Sequence, residues 1–175
     1  MKRRTNFGAA RSVALVGIMA ATVECGKLVL ASIPNVEVVT LLLALYGYVF
    51  GWLGIAAAAV FVCIEPLVWG FGTWVISYFI YWPLVALVFM LFRRVGVKSR
   101  FILAPIAVIM TVFFGVLTSF VDVGLFSGSY DRFFVRFSIY YMRGIPFYVT
   151  QTLCNAVLFL TVFPFLSKKL SAYRA

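Results

Sequence analysis

The chain has 175 residues, of which 65% are hydrophobic and 11% are charged, with a net charge of +10 at pH 7. Soluble domains average about 45–50% apolar and about 25% charged residues, so this chain lacks the polar surface that a water-soluble fold requires. The same balance excludes intrinsic disorder and, despite the positive charge, a nucleic-acid-binding protein. We therefore expect an integral membrane protein of the all-α class, with one transmembrane domain over residues 1–175.

The predicted elements are six membrane-spanning helices, because a helix of about 20 apolar residues crosses a bilayer. The apolar runs are continuous and not alternating, which is not typical of a β-barrel. The first run continues past Lys27 without a cleavage site and indicates a retained helix, not a signal peptide. Residues 38–64 form one long run that we divide at Gly51 into two short helices. The expected helices cover about 8–31, 38–51, 53–65, 71–92, 101–125 and 146–166, with a long outer loop over 126–143.

The loop over 126–143 is rich in charged and aromatic residues. Two interpretations stay open for it. It is either an amphipathic segment at the membrane interface or a lid over a binding pocket.

Basic residues indicate the orientation, since cytoplasmic loops carry an excess of Lys and Arg. Six spans place three basic clusters on one side of the membrane. This predicts that both termini are cytoplasmic. The clusters are Lys2, Arg3, Arg4 and Arg11; Arg93, Arg94, Lys98 and Arg100; and Lys168, Lys169 and Arg174.

Several kinds of chemistry are missing from the sequence. The chain has no histidine, which is the commonest general base and metal ligand. It has five acidic residues without a recognisable catalytic spacing, and no phosphate-binding GxxxxGK[ST] loop. We therefore expect a protein that is not an enzyme and that holds neither a metal nor a cofactor.

Polar and aromatic residues concentrate at the predicted outer ends of the helices. Polar groups inside a membrane are costly and tend to face a bundle interior or a cavity. Aromatic side chains there either form an interfacial belt or stack on a flat ligand. Glu24 and Lys27 are three residues apart and are candidates for a local ion pair. The candidate ligand-binding residues are Asn35, Glu37, Trp69, Trp74, Asp131, Arg132, Tyr141, Arg143, Gln151 and Asn155.

A stripe of small residues runs along the first predicted helix. Ala10, Ala14, Gly17 and Ala21 follow 4-3-4 spacing and therefore share one helix face. Small residues let another helix approach closely. The stripe either packs inside this chain's own bundle or is a docking face for a separate membrane subunit.

Two stretches carry a resemblance to a known family. The stretch 14–51 resembles the first two helices of the substrate-binding S component of energy-coupling factor (ECF) vitamin transporters. The turn over 33–36, followed by Thr40, is similar to the IPNVxxVT pattern of one branch of that family. The segment 140–147, with Asn155 after it, resembles the start of helix six in the same branch.

The resemblance implies a six-helix S-component bundle in the bacterial cytoplasmic membrane that binds its ligand near the outer face. It implies partners, namely a transmembrane coupling subunit and two cytoplasmic ATPases, with docking through Ala10, Ala14, Gly17 and Ala21. In that family the S component topples in the membrane when ATP is hydrolysed by its partners. Ligands are vitamins, related micronutrients or metal ions, and metal-ion members use an N-terminal histidine that is missing here. An organic micronutrient is therefore implied, with cobalamin first and riboflavin, pyridoxine-type compounds and pantothenate open.

An alternative is a membrane scaffold of the MreD type, which is similar in size and number of spans. Such a scaffold would use its outer surface for protein contacts and transport nothing. A polar, aromatic and enclosed outer pocket favours the transporter subunit. A collapsed apolar pocket favours the scaffold.

Overall fold

The computed structural model describes residues 8–128 and 130–174, and the predicted basic residues Lys2, Arg3 and Arg4 lie outside these ranges. Within them the chain is all-helical and contains no strand. Five of the six helices are long and apolar enough to cross a membrane, and only α2 is shorter. The helices are α1 (Ala9–Leu30), α2 (Val39–Phe50), α3 (Trp52–Trp69), α4 (Trp74–Arg94), α5 (Arg100–Phe126) and α6 (Phe133–Arg174).

Helix α2 lies at the centre of the bundle, where it packs against α1, α3, α4 and α6. Ten of its twelve residues are buried, as expected for a helix that is apolar on all sides. Twelve residues rise about 18 Å, so α2 is shorter than the bilayer core of about 30 Å. At Gly47 an added Cβ would overlap the backbone of Ala86, so glycine permits the close crossing of α2 and α4. Gly51, with φ of 65°, joins α2 to α3 through a single non-helical residue.

Helix α6 corrects the expected boundary between loop and helix. The predicted loop over 126–143 is helical from Phe133 onward, and α6 continues through Pro146 for 42 residues in all. Aromatic side chains stabilise this first part of α6, because Phe133, Phe137 and Tyr141 stack at i, i+4 spacing with centroids 6.2 and 6.1 Å apart. The expected loop is therefore helical from Phe133 onward, and whether this segment covers a binding pocket stays a prediction.

The two ends of the bundle differ in what they contain. At one end, called here the pocket end, the last turns of α1 and α3 meet the first turns of α2 and α4 around a cavity. At the opposite end, the Tyr48 hydroxyl donates a 2.8 Å hydrogen bond to the carbonyl of Val97. The basic residues Arg93, Arg94, Lys98 and Arg100 lie where α4 ends and α5 begins, on this opposite side.

Candidate functional site

A cavity of about 340 Å³ opens at the pocket end of the bundle. This volume lies within the range of about 300–1,000 Å³ typical of small-molecule sites. Every helix contributes to the wall, together with the loop between α1 and α2. The lining residues are Lys27, Leu30, Ala31, Ile33, Pro34, Asn35, Val36, Glu37, Val39, Thr40, Phe61, Trp69, Tyr78, Tyr81, Trp82, Thr111, Phe114 and Gln151.

Glu37 fixes the loop that forms the rim of the cavity. Its carboxylate accepts hydrogen bonds from the backbone N–H of Thr40 at 2.8 Å and from the Thr40 hydroxyl at 2.6 Å. The first N–H groups of a helix lack intrahelical partners, and a carboxylate just before α2 satisfies one of them. Asn155 of α6 donates to the same carboxylate at 2.7 Å and to the Thr111 hydroxyl at 3.0 Å. The loop, α2, α5 and α6 are thus joined by one polar network.

Lys27 lies on the wall of the cavity and pairs with an acid from another helix. Its ammonium group forms an ion pair with Glu65 of α3, where the expected local partner was Glu24. Because α1 packs on α3, Lys27 reaches Glu65 across the helix interface. The Lys27 Nζ also lies 4.9 Å from the centroid of the Trp69 ring and 5.5 Å from that of Tyr78.

Two carboxylates lie behind Lys27, away from the cavity lining. Glu65 is fully buried and Glu24 is 9% exposed. Both Glu24 oxygens and Glu65 Oε1 are buried without a hydrogen-bond partner. This part of the structure therefore holds more negative than positive groups.

Aromatic rings of α4 and α5 form one wall of the cavity. Tyr78 and Trp82 pack edge to face with ring centroids 5.5 Å apart, and the ring centroids of Tyr81 and Phe114 are 4.7 Å apart. Trp82 is 6% exposed, and its indole N–H has no hydrogen-bond partner. Trp74 packs edge to face against Tyr78 at 4.8 Å without lining the cavity itself. The wall thus offers flat apolar surfaces and one free donor.

The structure divides the predicted binding residues into three groups. Asn35, Glu37, Trp69 and Gln151 line the cavity. Trp74 and Asn155 contact lining residues from behind. The other four lie away from this cavity: Asp131, Arg132 and Arg143 are exposed, and Tyr141 lines a separate groove beside Tyr148.

The binding-site prediction left out several residues of the wall, among them Lys27, Tyr78, Tyr81 and Trp82. Tyr78, Tyr81 and Trp82 follow i, i+3, i+4 spacing, which puts them on one face of α4. That spacing was the available signal, but it is equally typical of aromatic residues in a membrane bundle.

The small-residue stripe of α1 is on the surface. Ala10, Ala14, Gly17 and Ala21 are all exposed, and a Cβ added at Gly17 would meet nothing within 4 Å. The buried residues of α1 are Met19, Ala20, Val23 and Glu24. Within the described residues, the stripe therefore does not pack inside this chain's own bundle.

Over the described part of the chain, no three acidic or cysteine side chains gather as a metal ion would require. Comparison of the chain with protein-family models, curated proteins and solved structures finds no match. The functional interpretation therefore depends on the residues and geometry of the cavity.

Proposed function

We propose that this protein is the substrate-binding membrane subunit of an ECF-type importer and captures an organic micronutrient in the cavity at the pocket end. The observation that carries the proposal is the lining of that cavity, where six aromatic rings surround a few oriented polar groups. Ligand sites are commonly built in this way, with flat apolar walls and a small number of polar groups that fix orientation.

The geometry suggests how a ligand would be held. Flat rings of the ligand stack between Trp69 and the aromatic wall of α4. Gln151, Asn35 and the Trp82 N–H supply hydrogen bonds from different sides. Asn35 adopts φ of 62°, a left-handed conformation that asparagine tolerates better than most residues, and this turns the rim of the cavity sharply.

The size of the cavity favours a compact ligand over cobalamin. A corrin ring with its nucleotide tail far exceeds 340 Å³, so cobalamin would need a much wider opening. Pyridoxine-type compounds and pantothenate are closer in size to the cavity. We therefore propose a small micronutrient.

The proposed partner subunits would supply the energy for import. The sequence carries no nucleotide-binding loop, so energy for import would come from a transmembrane coupling subunit and two cytoplasmic ATPases. The exposed stripe on α1 supports docking, because small residues on a free helix face allow close approach of another helix. We place the pocket end outside the cell and the basic end in the cytoplasm, following the positive-inside rule, in the bacterial cytoplasmic membrane.

The test is the identity and amount of any small molecule that co-purifies with the protein in detergent. We expect mass spectrometry of the denatured supernatant to find one organic compound near one equivalent per chain. Val36→Trp fills the rim of the cavity and should remove the compound. Val95→Trp, at an exposed position on the basic end, is the matched control and should retain it.

A compound retained by Val36→Trp would contradict the assignment of the cavity. An empty protein that also gives no thermal shift with a panel of vitamins would favour the MreD-type scaffold. The polar groups in the cavity support the importer subunit, because a scaffold has no need of them.

A further inference from the structure

We propose that the cavity selects an organic cation, meaning a compact molecule with a positively charged nitrogen beside a flat ring. This inference rests on the proposed function and specifies its substrate class.

The charges around the cavity are the first observation. Three of the chain's five acidic residues, Glu24, Glu37 and Glu65, gather at the pocket end of a chain whose net charge is +10. Among the described residues that line the cavity, Lys27 is the one basic residue, and it forms an ion pair with Glu65. The four groups sum to a formal charge of −2.

Glu37 is the acidic residue of this group that faces the cavity. Its carboxylate accepts three hydrogen bonds, from the Thr40 backbone N–H, the Thr40 hydroxyl and the Asn155 amide. Glu37 itself lines the cavity, so a ligand meets this charge directly.

The aromatic wall is the second observation. A cation is attracted to the face of an aromatic ring, with Trp the strongest partner. The Lys27 ammonium already lies 4.9 Å from the Trp69 centroid and 5.5 Å from the Tyr78 centroid, so these ring faces hold a positive charge in the folded protein. An anionic ligand would meet the ring faces and the Glu37 carboxylate, and both would repel it.

The basic residues of the first part of α6 do not reverse this balance. Arg132, Arg136 and Arg143 are exposed, and none of them lines the cavity. Exposed charges at a distance are screened by salt, whereas charges in an enclosed site are screened much less.

The test uses three aromatic probes of similar size and different charge: benzyltrimethylammonium, benzyl alcohol and benzoate. Binding is measured by quenching of the tryptophan fluorescence of the purified protein in non-ionic detergent, since Trp69 and Trp82 line the cavity. We expect benzyltrimethylammonium to bind about tenfold more tightly than benzyl alcohol, a difference of about 1.4 kcal/mol. We expect benzoate to bind most weakly.

Two variants test whether the preference for the cationic probe arises at Glu37. Glu37→Gln should weaken benzyltrimethylammonium binding about tenfold more than it weakens the binding of benzyl alcohol. Asp122→Asn makes the same chemical change in a separate groove beside Arg136 and Tyr140, and it should change neither affinity. If Glu37→Gln does not fold, the probe comparison on the unmodified protein still decides the inference.

The outcomes separate the two proposals. Tightest binding by benzoate, or equal binding of the cation and the alcohol, would overturn the inference on charge and leave the importer subunit standing. If none of the probes binds and nothing co-purifies, the proposed function fails and the inference fails with it.

Discussion

The two ends of the bundle differ in whether their buried polar groups have hydrogen-bond partners. At the basic end, Phe89, Phe159 and Phe163 pack with ring centroids 5.0–5.7 Å apart, and the Tyr48 hydroxyl is hydrogen-bonded. Among the described residues, all the buried side-chain polar atoms that lack a hydrogen-bond partner lie at the pocket end. They belong to Glu24, Glu65, Ser77, Trp82, Ser119 and Asn155.

This difference fits the proposal that the pocket end binds a ligand while the basic end stabilises the fold. A buried polar group without a partner costs about 1–3 kcal/mol, so a bundle selected only for stability would not collect such groups at one end. The basic end is a closed aromatic core. One group at the pocket end, the Trp82 indole N–H, lines the cavity and could gain its partner from a ligand. The following predictions test that contrast.

The largest expected effect on stability is at the closed end. Phe89→Ala removes a fully buried ring and should lower the free energy of unfolding by about 4 kcal/mol, because the packed neighbours cannot fill the space. Ligand affinity should stay within about twofold of the original protein. Thermal unfolding in detergent and ligand titration measure the two quantities, and a large loss of affinity with intact folding would show that the ends are not independent.

The second-largest expected effect on stability concerns the ion pair of Lys27 and Glu65 beside the cavity. Lys27→Met leaves the fully buried Glu65 carboxylate without its partner and should destabilise the protein by about 3 kcal/mol. Adding Glu65→Gln removes the pair as a unit and should restore much of this loss. Lys98→Met, at an exposed position, is the matched control. Equal stability of the single and double variants would show that the pair has no structural role.

Trp82→Phe separates binding from stability at the pocket end. The change keeps most of the ring and removes an indole N–H that has no partner within the protein. We expect a stability change below about 1 kcal/mol and a ligand affinity about tenfold lower, because one hydrogen bond to the ligand is lost. Calorimetric titration measures the affinity. If affinity does not change, the N–H does not contact the ligand.

The smallest effect on stability is expected on the exposed face of α1. Ala14→Trp should change the free energy of unfolding by no more than about 0.5 kcal/mol, yet it should abolish co-purification with the coupling subunit and its ATPases. Val29→Trp, at a position of α1 that is 77% exposed and lies neither three nor four residues from any residue of the stripe, should leave assembly intact. Assembly that survives Ala14→Trp would show that the stripe is not the docking face.

Hydrophobicity alone predicted much of the fold. Six apolar runs gave the six helices, and Gly51 marked the break between α2 and α3. The start of α6 was missed because the charged and aromatic residues after Phe133 are equally typical of an interfacial loop. What stabilises the helix there is the stacking of Phe137 on Phe133 and Tyr141, which depends on the helix being formed.

The candidate site was predicted in part. Asn35, Glu37, Trp69 and Gln151 were named from the sequence and line the cavity. The pairing of Lys27 with Glu65 was not predicted, since sequence spacing points to Glu24 and the partner in the structure is 38 residues away. Long-range contacts of this kind depend on which helices pack together, and hydrophobic periodicity does not specify that.

The most direct test of the account is an experimental structure of the protein with its co-purified molecule bound. We expect density for a compact ligand between Trp69 and the aromatic wall of α4, with a polar atom close to Glu37. Density in the groove beside Asp122 and Arg136, or a cavity end that has collapsed onto its own side chains, would contradict the claim that the pocket end is the binding site.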